Sequence, residues 1–144
     1  MSSAERLYTP ELLALTLRLA EYPWDESLPL KGDARSRSCG STLAMGLSLD
    51  AEGRVARIGL RARACAVGQA SAAIFADAAK GLAFEQIESA HDAMARWLAG
   101  EGHLPDWPGI SAIEAARAFP GRHGAMMLPW QAALAALSSA PASV

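Results

Sequence analysis

The sequence predicts an α+β fold: a small antiparallel sheet, based on one hairpin, with helices packed on one of its faces. Three observations predict it. Residues 42–49 and 56–64 alternate apolar and polar positions with period two, and Asp50-Ala51-Glu52-Gly53 joins them as a turn. Every other periodic segment has helical spacing. The order is helix, hairpin, then helices, so strands and helices are segregated rather than interleaved. The chain has 144 residues, 51% of them hydrophobic, enough for one domain spanning 1–144 with a sizeable core.

The elements follow in order. Thr9-Pro10-Glu11 opens a helix: Thr9 caps, Pro10 suits the first helical position, and Glu11 meets the positive end of the dipole. Leu12, Leu15 and Leu19 form its apolar stripe, and Pro23 ends it. Residues 24–37 hold Pro29, Gly32 and mixed charges and read as a loop, with room for one short strand before the hairpin. In the hairpin, Leu43, Met45, Leu47 and Leu49 share one face of the first strand. Ala56, Ile58, Leu60, Ala62 and Ala64 share one face of the second, with Arg57, Gly59, Arg61 and Arg63 opposite. Antiparallel pairing about the turn brings residues near 40 beside residues near 64. Cys39 and Cys65, the only cysteines, therefore become neighbours across 26 residues of sequence.

A helix rich in Ala, Gly and Ser starts just after Cys65 and ends near Lys80-Gly81. A second runs over 83–98, with Phe84, Ile87, Met94 and Leu98 inward and His91 on or near that face. Residues 100–109 are a loop, 111–118 a short helix and 119–124 a turn. The last helix covers 125–137 with Pro129 near its start, and the tail 138–144 frays.

Composition excludes several classes. A net charge of −2 gives no global attraction to nucleic acid. No apolar run approaches the roughly 20 residues that span a bilayer. The first residues lack the order of a signal peptide, so the expected compartment is the cytoplasm. There, two cysteines are expected as free thiols or metal ligands rather than as a staple. No nucleophile–base pair, phosphate-cradling glycine loop or H-E-x-x-H pattern is present, so an enzyme is not expected. Arg57, Arg61 and Arg63, with Arg54 beside the turn, make a basic stripe. It reads as a solvated face that discourages edge pairing, or as a docking patch for an acidic partner. Trp97, Trp107 and Trp130 read as packing, and Met126-Met127 as apolar gap-filling. His91 and His103 have no partner at metal-ligand spacing.

Around Cys39, Cys65 and Trp130 the chain resembles the iron–sulfur cluster assembly scaffolds of the IscU/SufU type, the domain also found at the N-terminus of NifU. The resemblance runs from Leu7-Tyr8 to about Leu137. Cys39-Gly40 matches the family's first cysteine site, and Cys65 with Gln69-Ala70-Ser71-Ala72 matches the second. Phe119-Pro120-Gly121-Arg122, Leu128 and Trp130 resemble the SufU-like branch. The family's aspartate after Cys-Gly falls on Ser41, and its third cysteine falls on Ala125. The lysine or histidine before that cysteine falls on Gly124. A shift of two residues puts His123 at the third ligand position instead.

The resemblance implies a scaffold that binds iron and sulfur, or zinc, through Cys39 and Cys65, with His123 as a possible third ligand. It implies a cysteine desulfurase as sulfur donor and apo-proteins as cluster acceptors, with no nucleic acid and no membrane. Cys65, at a predicted helix N-terminus where a thiol ionises more readily, is the expected persulfide acceptor. Two rival readings stand beside it. One is a non-catalytic interaction module with the scaffold fold and a vestigial metal site. The other is a thiol redox switch using the same two cysteines. A free cysteine also serves as a small buried apolar residue.

Overall fold

Alternation dictates the sheet. A computed structural model describes residues 7–139. Three antiparallel strands stand in the order β1 (Leu30–Arg35), β2 (Thr42–Leu49), β3 (Val55–Arg63). Leu43, Met45 and Leu47 of β2 are buried on the inner face, as are Val55, Ile58 and Leu60 along β3. The register pairs Thr42 with Arg63, Met45 with Leu60 and Leu47 with Ile58, and a bulge at Ser48/Leu49 leads into the turn.

Among the described residues, four α-helices and three 3-10 segments complete the α+β fold that the sequence predicts. Helix α1 is Pro10–Arg18, continued by a 3-10 turn at Leu19–Glu21; α2 is Ala66–Ala79; α3 is Phe84–Leu98. A 3-10 helix at Ile110–Ala118 and a 3-10 turn at Pro120–Arg122 lead into α4, His123–Ser138. The Thr9 hydroxyl accepts from the Leu12 amide at 3.1 Å, so the predicted N-cap forms. Leu12 is fully buried below it.

The short strand that the sequence leaves room for within 24–37 forms as β1. Its inward residues are Leu30, Gly32 and Ala34, and two of the three are too small to signal a buried face. The short helix expected over 111–118 forms as a 3-10 helix. The last helix starts at His123, two residues early, and continues through Ser138. Ser138 thus belongs to α4 rather than to the predicted tail, of which residues 140–144 lie outside the described residues.

Helix α2 is apolar nearly all round because it is covered on several sides. It packs on α1, α4, β3 and the 3-10 helix. Beside the sheet, α4 runs close over β1. A Cβ on Gly32 would meet the backbone of α4 at Ala136 N, Ala132 O (2.5 Å) and Ala135 C (2.8 Å). At the other end of α4, Pro129 removes one intrahelical donor. The Ser71 hydroxyl of α2 donates to the Met126 carbonyl at 2.6 Å in that stretch, pinning the two helices together. Phe75 stacks on Trp107 at 5.2 Å between centroids, and Trp130 meets both rings edge-on at 5.6 and 5.3 Å. On the far side of α2, Asp77 accepts from Arg18 at 2.8 Å twice and from the Tyr22 hydroxyl at 2.5 Å, which ties α1 down.

The outer face of the sheet is only half open. Gly46 and Gly59 pair across β2 and β3, and Leu28, 2% exposed, sits in the trough they leave.

The approach of α4 to β1 leaves no room for a methyl group. Gly32→Ala should destabilise the protein by about 1–3 kcal/mol, the usual range for overpacking against backbone. Chemical denaturation checks this, with Gly121→Ala as the control, since nothing lies within 4 Å of a Cβ there.

Candidate functional site

The turn 36–41 joins β1 to β2. Ser36 N donates to Ser41 O at 2.8 Å and Gly40 N to Ser36 O at 3.0 Å, closing the turn across Cys39. Gly40 takes φ +71°, which suits glycine. Cys65 follows β3 directly and occupies the N-cap of α2, as the sequence predicts. Both cysteines are free; Cys39 is exposed and Cys65 half-buried.

Ser41 touches both. Its Oγ lies 3.1 Å from Cys39 Sγ and accepts from the Cys65 amide at 3.5 Å, the long limit for such a bond. The pairing of Thr42 with Arg63 forces this meeting, because Ser41 and Cys65 continue the paired strands. Ser36 Oγ lies 3.3 Å from the same Cys39 sulfur. Ser36 is 3% exposed and Ser41 5%, so water does not compete for either hydroxyl.

Hydrogen counting gives this cluster a direction. Ser38 donates its hydroxyl hydrogen to the Gly121 carbonyl at 3.1 Å, so Ser36, 3.1 Å away, donates to Ser38 while Cys39 is a thiol. When Cys39 ionises, the Ser36 hydrogen turns to the sulfur and joins that of Ser41. Hydroxyl donation by Ser36 and Ser41 holds the Cys39 thiol below its usual pKa, with the Ser41 amide and the Arg122 charge adding to it and partial burial opposing it.

Gly124, the second residue of α4, makes this possible. A Cβ there would collide with Ser36 Oγ and stand 3.1 Å from Ser36 Cβ. Ala125 is fully buried. It packs toward the first turn of α2, where a Cβ on Gly68 would lie 3.4 Å from its own. His123 turns elsewhere: its Nε2 donates to the Arg117 carbonyl at 2.6 Å. Among the described residues, no three His, Cys, Asp or Glu side chains gather as a metal group. The structure thus brings Cys39 and Cys65 together through Ser41 and directs the His123 ring to Arg117.

Ser36, Ser38 and Arg122 are site residues that sequence reasoning missed. A signal existed: Ser36-Arg37-Ser38-Cys39-Gly40-Ser41 is a run of hydroxyls around one thiol. Nothing in the run, however, shows that α4 returns to it.

If Ser36 holds the thiolate and Gly124 leaves it room, Gly124→Ala and Ser36→Ala should each raise the pH at which Cys39 becomes reactive. The pH profile of Cys39 alkylation, followed by mass spectrometry, reads this. Gly121→Ala should leave the profile in place.

No protein family's sequence profile and no curated protein matches the chain. Solved structures do. It is similar to a nitrogen-fixing NifU-like protein (N-terminal) from Brucella abortus, with TM-score 0.83 and 25% identity over 95% of this chain and 96% of that one. It is also similar to a protein from thermophilic Fervidobacterium islandicum AW-1, named as a candidate iron–sulfur cluster assembly scaffold for the SUF system. That likeness has TM-score 0.82 and 16% identity over 93% and 98% of the two chains. A third similar structure, of a hypothetical protein, has TM-score 0.71 and 20% identity over 88% and 96%. In fold, the chain is similar to the NifU N-terminal and SufU type of solved structure.

Proposed function

We propose that this protein serves iron–sulfur cluster assembly as a scaffold-type protein whose working group is the Cys39 thiolate. The observation that supports this most is the pair of shielded serine hydroxyls on an exposed sulfur, within a fold shared with assembly scaffolds. We assign the acceptor role to Cys39 rather than to Cys65, where the sequence put it, because the Ser36 and Ser41 hydroxyls stand on its exposed sulfur. In the step proposed, the Cys39 thiolate attacks the terminal sulfur of a persulfide on a cysteine desulfurase. A sulfur–sulfur bond forms at Cys39, the bond to the desulfurase sulfur breaks, and that cysteine leaves as a thiolate. Cys65 is the neighbouring thiol, coupled to Cys39 through Ser41. The protein accepts and hands on cargo, and is not itself an enzyme in this reading. Its partners are the desulfurase and apo-protein acceptors, in the cytoplasm. No described helix is long and apolar enough to cross a membrane.

Iron or zinc would be held by Cys39 and Cys65. Two thiols are half of the four-ligand set that closed zinc sites and clusters take. Among the described residues of one chain, the side chains present therefore do not complete a site for zinc or a cluster.

Incubation with a cysteine desulfurase and cysteine should add one sulfur atom to Cys39, read by mass spectrometry of the alkylated protein. Cys39→Ser should abolish the gain and Cys65→Ser should keep it. Sulfur landing on Cys65 alone would return the acceptor role to the helix N-terminus.

The buried Ala125 at the family's third-cysteine position favours a second reading, an interaction module with a vestigial metal site. Restoring the family's residues separates the two. Ser41→Asp with Ala125→Cys should raise the melting temperature on adding zinc, because a ligand bound only by the folded state stabilises it. The wild type should shift little. A wild type that already responds to zinc, and loses the response in His123→Ala, would make His123 the working ligand.

A further inference from the structure

The outer face of the sheet carries a second feature beside the thiols. Small residues on the central strand, Thr42 and Ala44, leave a cleft of about 570 Å³ between longer side chains of β1 and β3. The register sets its walls. Arg35, Thr42 and Arg63 form one row across the three strands, and Asp33, Ala44 and Arg61 the next. Strands stand about 4.8 Å apart, so the backbones of Arg35 and Arg63, on either side of Thr42, lie roughly 10 Å from each other.

The charge in the cleft is unbalanced. Three arginines face one aspartate there, while the whole chain carries −2. Other cations on this face, and Arg61 within the cleft, are already engaged. Lys31 pairs with Glu26 at 2.9 Å and Arg57 with Asp25 at 2.9 Å. The Arg61 guanidinium lies 4.4 Å over the Trp24 ring. Among the described residues, Arg35 and Arg63 have no carboxylate within 4.0 Å. Arg35 immediately precedes the Ser36–Ser41 turn, and Arg63 stands two residues before Cys65. The open end of the cleft therefore leads to the thiols.

We propose that this cleft docks an extended acidic segment of the protein that exchanges a group with Cys39. Such a segment would address Arg35 and Arg63 with successive carboxylates, its backbone lying over Thr42 and Ala44. An acidic peptide fits better than nucleic acid: the one aromatic face beside the cleft is covered by Arg61, leaving none for a base to stack on. Opposite charges of this kind act mainly on encounter, so the expected effect is on rate and depends on salt. The inference concerns where a partner sits, and it stands apart from whether that partner brings sulfur.

The test uses two peptide probes on the full chain, one of glutamates and one of glutamines. Each carries a terminal cysteine as its mixed disulfide with thionitrobenzoate. The Cys39 thiolate attacks the peptide sulfur, a disulfide to the peptide forms, and thionitrobenzoate leaves and is read by absorbance; a Cys65→Ser background confines the reaction to Cys39. The acidic probe should react faster than the neutral one by on the order of tenfold at low salt, with the advantage fading as salt rises. Arg35→Glu with Arg63→Glu should erase the advantage, and so should the milder Arg35→Gln with Arg63→Gln. The neutral probe reports the remaining reactivity of Cys39 and the folding of each variant. Arg54→Glu with Arg96→Glu, the same charge change away from the cleft, should retain most of the advantage. An acidic advantage that survives loss of Arg35 and Arg63, or falls equally in the remote pair, overturns the proposal. Loss of the advantage to inorganic phosphate at matched ionic strength overturns it too, in favour of a small-anion site. Failure of Cys39 to take sulfur from a desulfurase, with the probe preference intact, would sink only the sulfur-transfer reading.

Discussion

The close approach of α4 to the sheet is the constraint on which the rest of the structure depends. Gly32 lets the helix backbone lie directly on β1. With that contact made, the start of α4 is carried over the turn that holds Cys39. Gly124 then comes against Ser36, and Ala125 against the first turn of α2. Both contacts need small residues, as does the Gly68 position they meet. A helix one side chain farther from β1 would lift Gly124 off Ser36 and leave the Cys39 turn without its buried wall.

That geometry explains how a thiol is activated here without a carboxylate or a histidine. Sulfur anions are stabilised by donors, and two serine hydroxyls supply them at 3.1 and 3.3 Å. Buried hydroxyls are neutral, so they avoid the desolvation cost that a buried charge would bring. The arrangement suits a sulfur that must ionise near the surface and meet another molecule. Closing a metal site calls for further ligands, and among the described residues no three His, Cys, Asp or Glu side chains gather to supply them.

The two faces of the sheet divide the work. The inner face carries Leu43, Met45 and Leu47 against the helices. The outer face is closed at one end by Leu28 over Gly46 and Gly59, and open at the other over Thr42 and Ala44. The open end is the one beside the thiols. The covering segment also neutralises its own neighbourhood through Asp25 and Glu26, which concentrates the unpaired positive charge near Cys39.

The sequence by itself determined the α+β class, the hairpin, the N-cap at Thr9, and the start of α2 at Cys65. These rest on local rules: period-two alternation, turn chemistry and capping act within a few residues. The proximity of the cysteines followed as well, since a two-strand register fixes what stands at its open end. Only the tertiary structure fixed the place and length of β1, because Gly32 is small for the sake of a helix about 100 residues away in sequence. It alone set His123 against Arg117, and it alone put the Ser36 and Ser41 hydroxyls on the Cys39 sulfur. Cys65 has the helix N-terminus that sequence reasoning can see. Cys39 has hydroxyls from its own turn, held in place by a glycine of the last helix, and a contact over such a separation leaves no periodic trace in the chain.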